Sequence, residues 1–160
     1  MELINRFLPR TEFSSYEDFK ENYRVNVPDN FNFGFDIVDA WAELDKEKPA
    51  LVWCNDHDEE KTFTFSDISK LSNKTANYFE SKGIGKGDVV LMIMRRRYEY
   101  WICATALCKI GATVIPATLQ LMPKDIVYRC NAAEVKMIVC VNDAGVPENI
   151  EAALPKCETV

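Results

Sequence analysis

Two rhythms of hydrophobic and polar positions alternate along this chain. Phe13, Tyr16, Phe19 and Tyr23 recur at three- and four-residue steps, which predicts an amphipathic helix. Val27-Pro28 breaks it, because proline disfavours helical backbone in the residue before it. Phe31, Phe33 and Phe35 then alternate with polar residues and Gly34, helical spacing returns over Asp36–Leu44, and Pro49 is expected to end that helix. Ala50–Cys54 reads as a strand, Asn55–Lys61 as a polar turn, and Thr62–Phe65 as a half-buried return strand. Ser66 is the expected N-cap of a helix with Ile68, Leu71, Thr75 and Phe79 on its inner face and Gly83 as its stop.

Beyond Gly83 the pattern becomes regular. Val89–Met94 is a continuous apolar run, as a strand covered on both faces requires. Tyr98–Ile110 reads as a helix stopped by Gly111, and Thr113–Ile115 as a short strand ended by Pro116. Pro123 can open the next helix, where its missing amide costs nothing. Ile126, Val127, Cys130 and Ala133 are its expected inner face. Met137–Val141 is a further buried strand, and Pro147 is expected to start a last helix through Leu154. Alternating strands and helices predict an α/β fold with parallel strands and crossover helices, preceded by a helical and hairpin region. The expected division is an N-terminal helical extension over 1–49 and the first part of an incomplete α/β domain over 50–160. A parallel sheet whose edge is open at Val160 is expected to continue in a longer chain.

Composition narrows the classes of function. Hydrophobic residues make up 48%, which suits a globular protein. A net charge of −6 disfavours a nucleic-acid footprint and adhesion to an acidic membrane surface. The first residues, Met1–Arg6, lack the basic and apolar regions of a secretory signal, and no apolar run reaches the length of a membrane span, so a cytoplasmic location is expected. The six cysteines, at 54, 103, 108, 130, 140 and 157, form no Cys-x-x-Cys pair and read as reduced, mostly buried thiols.

Candidate chemistry is sparse. Gly83-Ile84-Gly85-Lys86-Gly87 follows a helix and opens a strand, the reverse of a phosphate-cradling loop, and reads as a turn. Asp56–Glu60 lacks calcium-loop spacing and reads as a solvated hairpin tip. There is no Gly-x-Ser-x-Gly elbow, and His57 is the one histidine, so no catalytic triad is expected. Arg95-Arg96-Arg97 falls at the carboxyl end of the strongest strand, the edge where open α/β sheets bind ligands. It reads either as an anion site or as a solvated turn paired to Glu99 or another carboxylate. Thr118-Leu119-Gln120 occupies the next strand-to-helix loop on that edge, and the Gln120 carboxamide could meet an amide-bearing ligand. A stand-alone flavodoxin-like binding or signalling module is the alternative to a piece of an enzyme. Its receiver form is disfavoured because Met94 and Ile115, not aspartates, end the strands.

An ordered set of segments resembles the adenylate-forming, AMP-binding acyl-CoA synthetase family. Thr62-Phe63-Thr64-Phe65-Ser66-Asp67-Ile68 resembles its first core motif. Lys82–Val90 resembles its turn into a central strand, and Leu107-Cys108-Lys109-Ile110-Gly111-Ala112-Thr113-Val114-Ile115-Pro116 its second core motif. Val27–Phe33, Asp39-Ala40-Trp41, Tyr98–Trp101, Pro116–Leu121 and Asp125–Arg129 are similar to the medium-chain members, from which the arginine triplet departs. The resemblance implies the N-terminal part of the family's large adenylation domain. It implies an acid–thiol ligase that uses ATP and Mg2+ to turn a short- or medium-chain carboxylic acid into an acyl-adenylate and then transfers the acyl group to coenzyme A. It places the phosphate loop, the Mg2+ ligands and the catalytic lysine outside these residues, so that no catalytic residue is expected here and the fragment alone is expected to be inactive. By the same resemblance Gln120 and Arg129 are the candidate coenzyme A contacts.

Overall fold

The computed structural model describes residues 3–160; Met1 and Glu2, the start of the stretch read for a leader, lie outside it. A 3-10 turn at Leu3–Arg6 precedes α1 (Tyr16–Asn22), and a π-helical turn at Gly34–Asp39 runs into α2 (Ala40–Leu44). The hairpin strands β1 (Pro49–Cys54) and β2 (Glu60–Thr64) lead into α3 (Phe65–Ser81). Then come β3 (Val89–Ile93), α4 (Glu99–Lys109), β4 (Thr113–Pro116), α5 (Pro123–Ala132), β5 (Val135–Cys140) and α6 (Val146–Ala153), with a 3-10 turn at Leu154–Lys156.

The expected hairpin is present as an antiparallel β1–β2 pair, with Val52 opposite Thr62. The expected parallel sheet is present in the order β4-β3-β5. The continuous apolar run explains β3 at its centre: Val90, Leu91, Met92 and Ile93 are at most 1% exposed. Around it pack Leu107 from α4, Ile126 and Cys130 from α5, and Ile150 from α6. Gly83 and Gly111 end α3 and α4 at φ +79° and +72°, backbone that a side chain would strain. Pro123 opens α5 as expected.

Several elements depart from the pattern for identifiable reasons. The helix expected over 13–23 is confined to Tyr16–Asn22. Its aromatics pair with one another, Phe13 to Phe19 at 5.2 Å and Phe19 to Tyr23 at 4.9 Å, instead of entering the core. Pro49 begins β1, since α2 already ends at Leu44; a first strand position tolerates a residue without an amide. Pro116 lies within β4 and pairs with Met92, allowed because β4 borders the sheet. β5 starts at Val135, two residues before the expected start. Val135 is fully buried, while Lys136, which interrupts the apolar run, points outward to Asp88 at 3.0 Å. The buried face of α3 is Ile68, Ser72, Ala76 and Phe79. Leu71 and Thr75 instead line a cavity of about 560 Å3 between the hairpin, α3 and α4.

Thr64, not Ser66, caps α3. The Asp67 amide donates to the Thr64 hydroxyl at 3.1 Å, and the Thr64 amide donates to the Asp67 carboxylate at 3.0 Å. Losing the Thr64 hydroxyl in Thr64→Ala, which accepts from the Asp67 amide and donates to the Asp67 carboxylate, is expected to cost about 1 kcal/mol, read as a lower urea midpoint, with Thr64→Ser close to wild type. The Thr64 amide, and then its hydroxyl, hold the Asp67 pKa below its ordinary 3.8. A depressed folded pKa gives stability that is complete above the ordinary value and lost as pH falls through the folded one. Thr64→Ala keeps the amide and loses the hydroxyl's share of that shift, so the difference between wild type and Thr64→Ala is expected to shrink only in part as pH drops below 3.8.

All six cysteines are free, but the expectation that they are mostly buried holds fully for Cys130 alone. Cys54 and Cys140 are exposed because they end strands, and the other three are half-buried. Burial pushes the Cys130 thiol up to about 12 and the Cys103 thiol up to about 11.

Candidate functional site

Two loops flagged separately in the sequence meet at the carboxyl edge of the parallel sheet. After β3 the chain turns through Arg95-Arg96-Arg97; after β4 it runs through Ala117–Gln120. The parallel pairing of β3 and β4 places both loops at one end of the sheet, and the Ala117 amide donates to the Met92 carbonyl at 2.8 Å. Between the loops lies a cavity of about 390 Å3 lined by Met92, Met94, Arg95, Arg96 and Tyr100 on one side and by Pro116–Gln120 on the other. Its floor is apolar and its rim cationic and amide-bearing, the mixture expected of a site that orients a polar ligand.

The rim is held from behind. The Trp53 indole N–H, from β1 of the hairpin, donates to the Arg96 carbonyl at 2.8 Å. The Trp53 ring meets Tyr98 edge-on at 5.2 Å. Arg95 has φ +36°, in the left-handed region that a residue with a β-carbon enters only at a cost of about 1 kcal/mol. Of the triplet, Arg97 is the residue with an ionic partner, and that partner is Asp143 in the loop after β5, at 2.9 Å, not Glu99. Arg95 and Arg96 make no ion pair among the described residues.

Gln120 is exposed on the cavity rim. Its amide donates to the Thr118 hydroxyl at 3.3 Å, while its carboxamide makes no hydrogen bond among the described residues and so can serve a ligand. Arg129 lies elsewhere: on α5, with Nη1 donating to the Asp125 carbonyl of its own helix at 3.2 Å, and outside this cavity. The residues that sequence reasoning missed are Tyr100, Met92 and Met94 in the lining and Trp53 behind it. The signal for Trp53 was an aromatic with an N–H donor at the end of a hairpin strand.

The other candidates resolve as structure. The Gly85 amide donates to Asp88 at 2.8 Å, so the glycine turn is filled by its own carboxylate; that bond and Lys136 hold Asp88 below the usual carboxylate range. The hairpin tip is organised by Asn55, whose Oδ1 accepts from the amides of His57 and Glu59. Among the described residues, no three His, Cys, Asp or Glu side chains converge as metal ligands. No described helix is long and apolar enough to cross a membrane.

The family described as "AMP-binding enzyme" matches residues 38–160, from the end of the π-helical turn through the whole sheet. This chain belongs to the AMP-binding enzyme family. Within the AMP-binding enzymes it is 35% identical to "Acyl-coenzyme A synthetase ACSM3, mitochondrial" of Pongo abelii, over 98% of this chain and 27% of that protein. The chain thus spans about a quarter of the length of that relative. Two solved structures share its fold. A Mycobacterium tuberculosis fatty acyl CoA synthetase superposes with TM-score 0.71 at 22% identity, covering 81% of this chain and 25% of the other. The N-terminal domain of FACL13 from the same organism gives TM-score 0.70 at 23% identity, covering 81% and 32%. The expected α/β adenylation-domain architecture is therefore correct, and the match to AMP-binding enzymes over most of the chain displaces the flavodoxin-like alternative.

Proposed function

We propose that this chain is the N-terminal portion of an AMP-forming acid–thiol ligase. A short- or medium-chain carboxylate attacks the α-phosphorus of ATP, releasing pyrophosphate and forming an acyl-adenylate. The thiol of coenzyme A then attacks the acyl carbon and AMP leaves. One observation carries the reading: near-complete coverage of the chain by a relative whose name states acyl-coenzyme A synthetase. The cavity at the carboxyl edge supports it, since a family enzyme needs a ligand site on that edge.

In this reading the chain supplies scaffold and one wall of the coenzyme A site, and the adenylation groups belong to other parts of the protein. Gln120 is the principal contact: its unpaired carboxamide offers both a donor and an acceptor to the amides of the pantetheine arm. Arg129 is the second candidate and would have to leave the Asp125 carbonyl to reach a ligand. The Mg2+ that accompanies ATP finds no fitting ligand set among the described residues, so no step is assigned to it here. The boundary near residue 49, between a helical extension and the sheet-bearing part, belongs to the same proposal. The named relative is mitochondrial, so the proposed compartment is an intracellular one holding ATP and coenzyme A, either the cytoplasm expected from the sequence or the mitochondrial matrix.

The test is steady-state thioester formation by the full-length protein. Gln120→Ala is expected to raise KM for coenzyme A about fivefold, the loss of roughly one hydrogen bond, and to leave KM for ATP at its wild-type value. An unchanged KM for coenzyme A would remove Gln120 from the site.

A further inference from the structure

We infer that Arg95 and Arg96 form an anion clamp for the phosphate groups of coenzyme A, an inference that rests on the ligase reading of the same cavity.

Four observations converge on it. Both residues are exposed and line the cavity that also carries Gln120, and both border as well a second cavity, of about 420 Å3, against the hairpin, so the two arginines stand between a ligand on Gln120 and the hairpin face. Neither has an acidic partner among the described residues, whereas their neighbour Arg97 is paired to Asp143 at 2.9 Å. The Arg97–Asp143 pair ties the turn to the loop after β5, and the Trp53 indole pins the Arg96 carbonyl. Both contacts hold the carboxyl side of the turn, whose amino side is the end of β3, while the side chains of Arg95 and Arg96 stay uncommitted. Finally, Arg95 is kept in left-handed backbone at φ +36°. A strained turn that presents paired guanidiniums suits planar recognition of phosphate oxygens, which arginine meets with two parallel N–H donors. The chain as a whole is acidic, at −6, so this local concentration of positive charge runs against the background and would draw a polyanionic ligand to one edge of the sheet.

The clamp acts on affinity, not on chemistry. Coenzyme A offers two kinds of phosphate, the 3′-phosphate and the diphosphate, and ligand analogues separate them. Binding to the full-length protein is measured by calorimetry with coenzyme A, dephospho-coenzyme A and pantetheine. The proteins compared are wild type, Arg95→Gln/Arg96→Gln and the charge-keeping Arg95→Lys/Arg96→Lys. The double glutamine variant is expected to bind coenzyme A at least about tenfold more weakly, and the lysine variant to recover part of the loss. Pantetheine, which has neither phosphate, is expected to bind all three proteins alike. If the 3′-phosphate is the one held, the preference of wild type for coenzyme A over dephospho-coenzyme A collapses in the glutamine variant. If the diphosphate is held, both ligands weaken together. The clamp is overturned if the glutamine variant, shown folded by circular dichroism, binds coenzyme A as wild type does, or if its affinity for ATP falls while that for coenzyme A does not. Failure of the wild type to form thioester would remove the ligase reading instead, and the calorimetry would still decide the role of the arginines.

Discussion

Asp39→Ala is expected to destabilise the protein by about 3 kcal/mol, through the side chain it abandons. Lys109 lies in the last turn of α4 with its side chain 2% exposed. Its ammonium donates to the Asp39 carboxylate at 2.6 Å and to the Asn73 side-chain Oδ1 at 2.7 Å, so three elements meet on one charge: the π-helical turn, α3 and α4. Nearby, Asn32 donates to the Cys108 carbonyl at 2.8 Å, and Gly34 presses against the Lys109 stem so closely that a β-carbon there would overlap Lys109 Cγ. Removing Asp39 leaves the ammonium with one neutral acceptor on a side chain that is 2% exposed. The figure sits at the low end of the range for broken buried pairs because Asp39 is itself 22% exposed. Adding Lys109→Met to Asp39→Ala is expected to recover much of the loss, since the charge that needed a partner is gone. Urea midpoints that match wild type for Asp39→Ala would mean that the node is not what docks the N-terminal segment on α4.

The second large effect separates the packed core from the apolar pattern. Leu91 is fully buried at the centre of β3, opposite Ile115 on β4 and Ile138 on β5. Leu91→Ala is expected to cost about 3 kcal/mol, the transfer term plus the cavity left in a sheet clamped on both sides. Leu71→Ala, at a position the helical spacing assigns to the inner face of α3, is expected to cost less than about 1 kcal/mol, because Leu71 is 36% exposed. Equal losses for the two substitutions, measured by urea denaturation, would contradict the packing described here.

That contrast shows what kind of information the sequence carried. The β3 strand was legible because an uninterrupted apolar run has one stable use in an α/β protein. The parallel strands and the glycine stops followed from similarly strong signals. The face of α3 is shifted by one position at two of its four members because the residues buried there are small. Ser72 and Ala76 are buried although neither is a large apolar residue, and counting large apolar residues favours Leu71 instead. β5 was cut short because Lys136 looks like an end in a one-dimensional pattern, although a strand can turn one lysine outward. Lys109 was invisible for the opposite reason, since a lysine in a helical pattern reads as solvated until two distant acceptors close over it. The candidate site was half legible. Arg95–Arg97 and Thr118–Gln120 could each be placed at a strand end, but the pairing of β3 with β4 was needed to bring them to one cavity. The grip of Trp53 on the Arg96 carbonyl depends on where the hairpin lies, which no local signal specifies.

In the proposed ligase, residues 1–160 carry the scaffold and the coenzyme A-facing edge, and adenylation is performed by groups outside them. ATP–pyrophosphate exchange driven by butyrate or octanoate, run on the full-length protein and on residues 1–160 alone, separates the two parts. Exchange is expected from the full-length protein and none from residues 1–160; carboxylate-dependent exchange by the isolated 160 residues would place the adenylation groups within them and overturn this assignment.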